Sequence, residues 1–166
     1  AWTNRGVALL NLGRFEEAIT SYDRALAINP DDNTAWSNRG VALGNLGRYE
    51  EAIANFDRAL AINPNDETAW TNRGYALGKL GRFEEEIACY DRALAINPND
   101  NTAWSNRGYA LRKLGRSEEA IASYDQALAI NPNKDNAWYG RGMAAAKSIN
   151  WIVEAASVGQ FILSFE

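Results

Sequence analysis

Residues Ala35–Thr68 read AWSNRGVALGNLGRYEEAIANFDRALAINPNDET, and nearly the same 34 residues occur once before them and twice after. Trp2, Trp36, Trp70, Trp104 and Trp138 fall at that spacing, and so do Pro30, Pro64, Pro98 and Pro132. A fixed period of this length marks a repeat array. One unit is too small to bury its own apolar face, so stacked units must share a core and the array is the folding object.

Two helical patterns stand back to back in each unit. In the first, Trp36, Gly40 and Leu43 recur at helical spacing, with Ala42 and Leu46 beside them. Gly47 suits the left-handed residue that closes such a helix. In the second, Tyr49, Ala52, Ile53, Phe56, Ala59 and Leu60 form one apolar stripe, with Glu50, Glu51, Asp57 and Arg58 off it. Glu50 and Glu51 stand in its first turn, where acids complement the helix dipole. Asn63-Pro64 ends it, because the residue before proline is pushed out of the helical region. Asp32, Asp66 and Asp100 then occupy the N-cap position of the next first helix.

The pattern resembles the tetratricopeptide repeat, a 34-residue unit with a Trp, then Leu-Gly, a large residue, and later Ala, an aromatic, Ala and Pro. Trp36, Gly40, Leu43, Ala52, Phe56, Ala59 and Pro64 hold those places, and the other three full units agree at nearly all of them. The resemblance covers Ala1 to Asn136 and most of a fifth helix. One departure is systematic: Arg5, Arg39, Arg73, Arg107 and Arg141 replace the Leu before the Gly. The resemblance implies an all-α fold, a right-handed α-solenoid of stacked antiparallel helix pairs, with the first helices lining a concave groove. It also implies a non-catalytic protein–protein interaction scaffold. One array is expected over residues 1–166, with repeats at 1–34, 35–68, 69–102 and 103–136 and divergent terminal helices over 137–166.

Composition narrows the function classes. The net charge is −4 and the pI about 5.0, which argues against a general nucleic-acid binder. There is no histidine, so histidine catalysis and the commonest metal ligand are lacking. Cys89 is alone, which excludes an internal disulfide and a paired-thiol metal site. Neither a cofactor nor a catalytic residue is expected. Glu16-Glu17 and their copies read as a solvated helix start. A lone thiol suits a reducing, cytoplasmic setting, and a chain that opens in mid-pattern at Ala1 reads as a piece of a longer one.

Two substitutions break the repeat. Glu86 replaces Ala18, Ala52 and Ala120, where two helices approach closely. The expectation is that its stem lets the carboxylate reach solvent. Ser117 replaces Phe15, Tyr49 and Phe83, which points to looser packing near units three and four. Beyond Ala137 the match fades into an apolar run. It is too short and too charged for a membrane span, and its residues Trp151, Ile152, Phe161, Ile162 and Phe165 are candidates for self-association, since an exposed apolar patch marks an interface.

Function is expected on the first helices, where columns recur off the core stripe. Asn4, Asn38, Asn72 and Asn106 form one; each amide both donates and accepts, so a ladder of them can hold an extended peptide whatever its sequence. Other members of the family carry asparagine ladders in their grooves, and the resemblance implies that role for these four. A second column is Thr3, Ser37, Thr71, Ser105 and Tyr139. A third is Val7, Val41, Tyr75, Tyr109 and Met143, and a fourth is Asn11, Asn45, Lys79, Lys113 and Lys147. The first-helix segments carry a net +7 and the second-helix segments −6. Tyr75, Tyr109, Lys79, Arg112, Lys113 and Lys147 therefore join the asparagines as candidate peptide contacts, with an acidic partner favoured. The arginine column tempers this count. It lies toward the neighbouring helix, where its charge can be spent on Asp23, Asp57, Asp91 and Asp125. The chaperone-tail clamp is not expected, because its basic places hold Thr3, Ser37, Thr34 and Thr68. The rival readings are a self-associating structural array, joined through the apolar C-terminal helix, and an RNA-binding helical repeat. The acidic pI and the Trp-Gly-Pro pattern argue against the latter.

Overall fold

A computed structural model describes residues 1–148. Among them there are helices and turns and no strand. The chain divides into two compact units, Ala1–Pro98 and Asn99–Glu166. The first holds α1 (Trp2–Asn11), α2 (Phe15–Ile28), α3 (Asn33–Asn45), α4 (Tyr49–Ile62), α5 (Glu67–Lys79) and α6 (Phe83–Ile96). The second holds α7 (Asn101–Lys113), α8 (Ser117–Ile130) and a further helix described over residues 135–148. The self-association candidates at 151–165 lie outside the described residues.

The punctuation of the repeat works as its chemistry requires. Gly13, Gly47, Gly81 and Gly115 all take φ of 72–77° at the close of a first helix, a region only glycine enters without a Cβ penalty. Asp32, Asp66 and Asp100 accept from the amides of Ala35, Ala69 and Thr102. Lys134 stands at the next such place, and its ammonium instead donates to Asn101 Oδ1 and Thr102 Oγ1.

In the first unit α1 touches α3 and α3 touches α5, whereas α2, α4 and α6 do not touch one another. The first helices are therefore the more crowded layer and form the inner side of the bend. The core runs between layers, through Leu9, Tyr22, Leu43 and Phe56. Tyr22 is fully buried, its hydroxyl has no partner, and burial pushes its pKa up to about 12. Phe56 does without a hydroxyl at the same place. Tyr22→Phe should raise stability by about 1 kcal/mol, because it removes an unsatisfied buried polar group. Urea unfolding at neutral pH measures this, and a lower midpoint would mean that the hydroxyl has a partner.

Trp36 and Trp70 are partly buried. Each packs on Ala59, Leu60 and Ala69, while its indole N–H donates to a carbonyl six residues upstream, Trp36 to Pro30 and Trp70 to Pro64, at 2.8 and 2.9 Å. The tryptophan thus ties down the proline turn as well as filling space. Trp138 makes the same bond to Pro132 and is 54% exposed.

The arginine that departs from the family pattern is a three-helix staple. Arg39 Nε donates to Asp23 of the preceding hairpin at 2.8 Å, and its Nη1 donates to Asn55 of its own hairpin. Arg73 does the same with Asp57 and the Cys89 sulfur, and Arg141 pairs with Asp125. Arg5 and Arg107 donate to Ser21 and Ser123. Ser21, Asn55, Cys89 and Ser123 occupy one column of the second helix, sixteen residues on from their arginines, and each accepts from the guanidinium there.

Glu86 does not reach solvent. It is 4% exposed and lies flat against Gly78, whose missing side chain makes the room. The carboxyl fills the space beside the bare Gly78 backbone instead of running outward. At Ser117 the absent aromatic leaves a pocket of about 250 Å³ lined by Gly115, Glu118, Lys147 and Ser148.

Candidate functional site

The inner layer of the first unit presents α1, α3 and α5 side by side. Asn38 and Asn72 stand half-buried there and Asn4 stands exposed. None of the three side chains has a hydrogen-bond partner among the described residues, and none has a buried unsatisfied atom, so their amides face solvent. Asn72 lines a pocket of about 260 Å³ with Val41 and Asn45 of α3, Tyr49 and Phe56 of α4, and Tyr75 of α5. Gly40 and Gly44 also line it.

Tyr75 is 51% exposed, an aromatic standing in the open beside the asparagine column. The Lys79 ammonium lies 4.9 Å from its ring centroid, a cation–π distance. This aligns an apolar ring, a positive charge and an unspent amide along α5. Asn45 is different: its amide donates to the Val41 carbonyl, so it is already used.

The second unit repeats the motif on α7. Asn106 is half-buried, and Tyr109 is 43% exposed with Arg112 and Lys113 over its ring at 5.4 and 5.3 Å. Arg112 also meets the Tyr124 hydroxyl and so holds down a pKa that burial pushes up. Part of the Arg112 guanidinium is buried, its Nε without a hydrogen-bond partner among the described residues. Lys147 joins the pocket at the start of α8, its ammonium 3.5 Å from the place of a Cβ on Gly115.

The column of Thr3, Ser37, Thr71, Ser105 and Tyr139 does not face outward throughout, although Tyr139 is 70% exposed. Ser37 and Ser105 are buried, and the Thr3 hydroxyl donates to the N-cap carboxylate Asp32 of the next hairpin. Their side of the helix meets the following turn. The first-helix charge of +7 also overstates the free positive charge, since Arg39, Arg73 and Arg141 are paired with second-helix aspartates. Lys79, Arg112 and Lys113 also carry positive charge on first helices, beside the rings of Tyr75 and Tyr109. Sequence reasoning missed the forks of Arg14, Arg48, Arg82 and Arg116 onto the glutamates three residues on, each with two contacts of 2.6–2.7 Å. The i, i+3 spacing was the available signal. All lie in solvent, where such pairs contribute little to stability. No group of three or more His, Cys, Asp or Glu among the described residues could hold a metal ion. No described helix is long and apolar enough to cross a membrane.

A family model described as tetratricopeptide repeat matches residues 3–67, 38–101, 71–135 and 105–150. No curated protein matches the chain. Among solved structures, YrrB, described as a TPR protein with an unusual peptide-binding site, is 26% identical with a TM-score of 0.80, over 90% of this chain and 77% of that one. The first TPR of Spaghetti (RPAP3) bound to the HSP90 peptide SRMEEVD is 26% identical with a TM-score of 0.68, over 69% and 90%. MamA 41-end from Desulfovibrio magneticus RS-1 is 22% identical with a TM-score of 0.78, over 94% of each chain. This last likeness shows the fold alone.

Proposed function

Since the chain belongs to the tetratricopeptide-repeat family, we propose that it is a non-catalytic scaffold that holds an acidic peptide, extended or helical, on the face of its first helices. The observation that carries this reading is the unspent pair Asn38 and Asn72. Both amides face solvent from the packed layer and keep donor and acceptor open to whatever lies along it. Tyr75 and Tyr109 would cover the ligand's apolar groups. Lys79 and Lys113 would attract its carboxylates, more strongly at low salt. YrrB and the RPAP3 domain, both described with peptide sites, lend the reading support from their side. Binding along a peptide backbone accounts for a ladder of identical asparagines, because the ligand's own repeat is the peptide unit.

The double variant Asn38→Ala, Asn72→Ala tests it. With a fluorescent alternating Glu-Ala peptide as probe, affinity should fall about tenfold, roughly two net hydrogen bonds. The melting temperature should not change, because neither amide bonds to the protein. Equal affinity in variant and parent would remove the ladder from the mechanism.

A further inference from the structure

We propose that Glu86 is a proton-operated switch beneath the peptide-binding face, setting how closely α5 sits on α6. The consequence for ligands rests on the reading just given; the switch does not.

Gly44 and Ala52 hold in the preceding hairpin the repeat positions of Gly78 and Glu86, and nothing lies within 4 Å of where a Cβ on Gly44 would stand. At the next hairpin Gly78 faces Glu86, and both carboxyl oxygens with Cδ lie 2.5–2.6 Å from the place of that Cβ. The carboxyl has thus taken the volume of a missing side chain, pressed against the α5 backbone. Glu86 is at least nine-tenths buried, and its Oε2 has no hydrogen-bond partner.

The groups around it within this unit offer an anion little. On α6, the Tyr90 hydroxyl faces it one turn on. Arg82, one turn back, is forked onto Glu85. On α5, Lys79 follows Gly78 directly, but its ammonium lies at the Tyr75 ring. An ionised carboxylate here would be buried without a cation, a costly state. It therefore keeps its proton toward neutrality: burial raises the pKa to about 7, against a smaller opposing effect of Tyr90.

Loss of that proton leaves two ways out. The carboxylate can part α5 from α6, or it can turn past Gly78, which has no side chain to block it, toward Lys79 and Tyr75. Either moves the helix that carries Asn72, Tyr75 and Lys79. The second also sets a negative charge among the cations meant for an acidic ligand. Protonation should accordingly favour binding and deprotonation oppose it.

Nuclear magnetic resonance of the ligand-free chain tests the switch without any ligand. From about pH 5.5 to 8.5 the Gly78 amide and the Tyr75 ring should shift together through one transition near neutrality. Gly44 and Val41, in the preceding hairpin, should stay flat. Glu86→Gln should abolish the transition, and Glu86→Ala, which restores the residue of Ala18, Ala52 and Ala120, covers the case in which the glutamine variant folds poorly. A transition that survives both variants, or a Gly78 amide that never moves, would overturn the proposal. The Glu-Ala peptide forms a separate arm: its affinity should fall several-fold from pH 6 to 8 in the parent and not in the variants. A titrating Gly78 without peptide binding at any pH would sustain the switch and sink the peptide reading.

Discussion

Gly40→Leu should destabilise the first unit by about 3 kcal/mol, at the upper end of what overpacking a core costs. A Cβ at Gly40 would lie 2.8 and 2.9 Å from Cε1 and Cζ of Phe56. Phe56 is itself buried among Leu43, Ala42 and Ala52, so it cannot step aside. The larger side chain must push α3 off α4 and open the core both helices share with α1 and α2. The control lies one turn along the same helix. A Cβ at Gly44 meets nothing within 4 Å, and Gly44→Ala should stabilise by up to about 1 kcal/mol through helix propensity alone. Urea unfolding of the two variants separates steric contact from glycine's backbone freedom. Equal losses would mean that Gly40 is needed for conformation and not for room.

Glu86→Ala should make the chain more stable above neutral pH, by about 2 kcal/mol. The carboxyl's pKa stands near 7 in the fold against 4.5 in the open chain, a gap worth about 3 kcal/mol at 1.36 kcal/mol per unit, and the lost contacts of the stem take back part of it. Below about pH 4.5 the proton is held in both states, and Glu86 adds no pH dependence. From there to pH 7 the open chain has released it while the folded chain still holds it, so the parent loses stability as pH rises. Above pH 7 the whole cost stands. The advantage of the alanine variant should thus grow across that window and level off beyond it. The exposed Glu17, Glu51, Glu85 and Glu119 act in the opposite sense. Their arginine partners hold the pKa values below the ordinary glutamate range, so what they contribute fades only at lower pH. Unfolding midpoints at pH 6 and 8 for parent and variant make the comparison, and a constant difference would show that Glu86 does not titrate in that window.

The architecture was legible in the chain because its determinants are local and occur several times over. Gly47 turns a helix off through its own φ, Asp66 starts one through a carboxylate three residues from the amide it binds, and Asn63-Pro64 ends one through sterics at a single bond. The stripe from Tyr49 to Leu60 follows from helical periodicity alone. Even the arginine column could be assigned to a neighbour's aspartate, since Arg39 and Asp23 lie at a separation the repeat fixes. What needed the fold was every question decided by distances between helices. Whether the Glu86 stem reaches water depends on how near α5 comes to α6, and that turns on the bare backbone of Gly78. Ser37 and Thr3 looked outward by helical angle, yet that side of the helix is closed by the next hairpin's turn. Asn38 and Asn45 are the same residue on the same helix, and only the packed structure distinguishes the amide bonded to Val41 from the one left open. Periodicity places a side chain on a face; what that face meets, and so what remains free to bind, is settled by how the helices close around it.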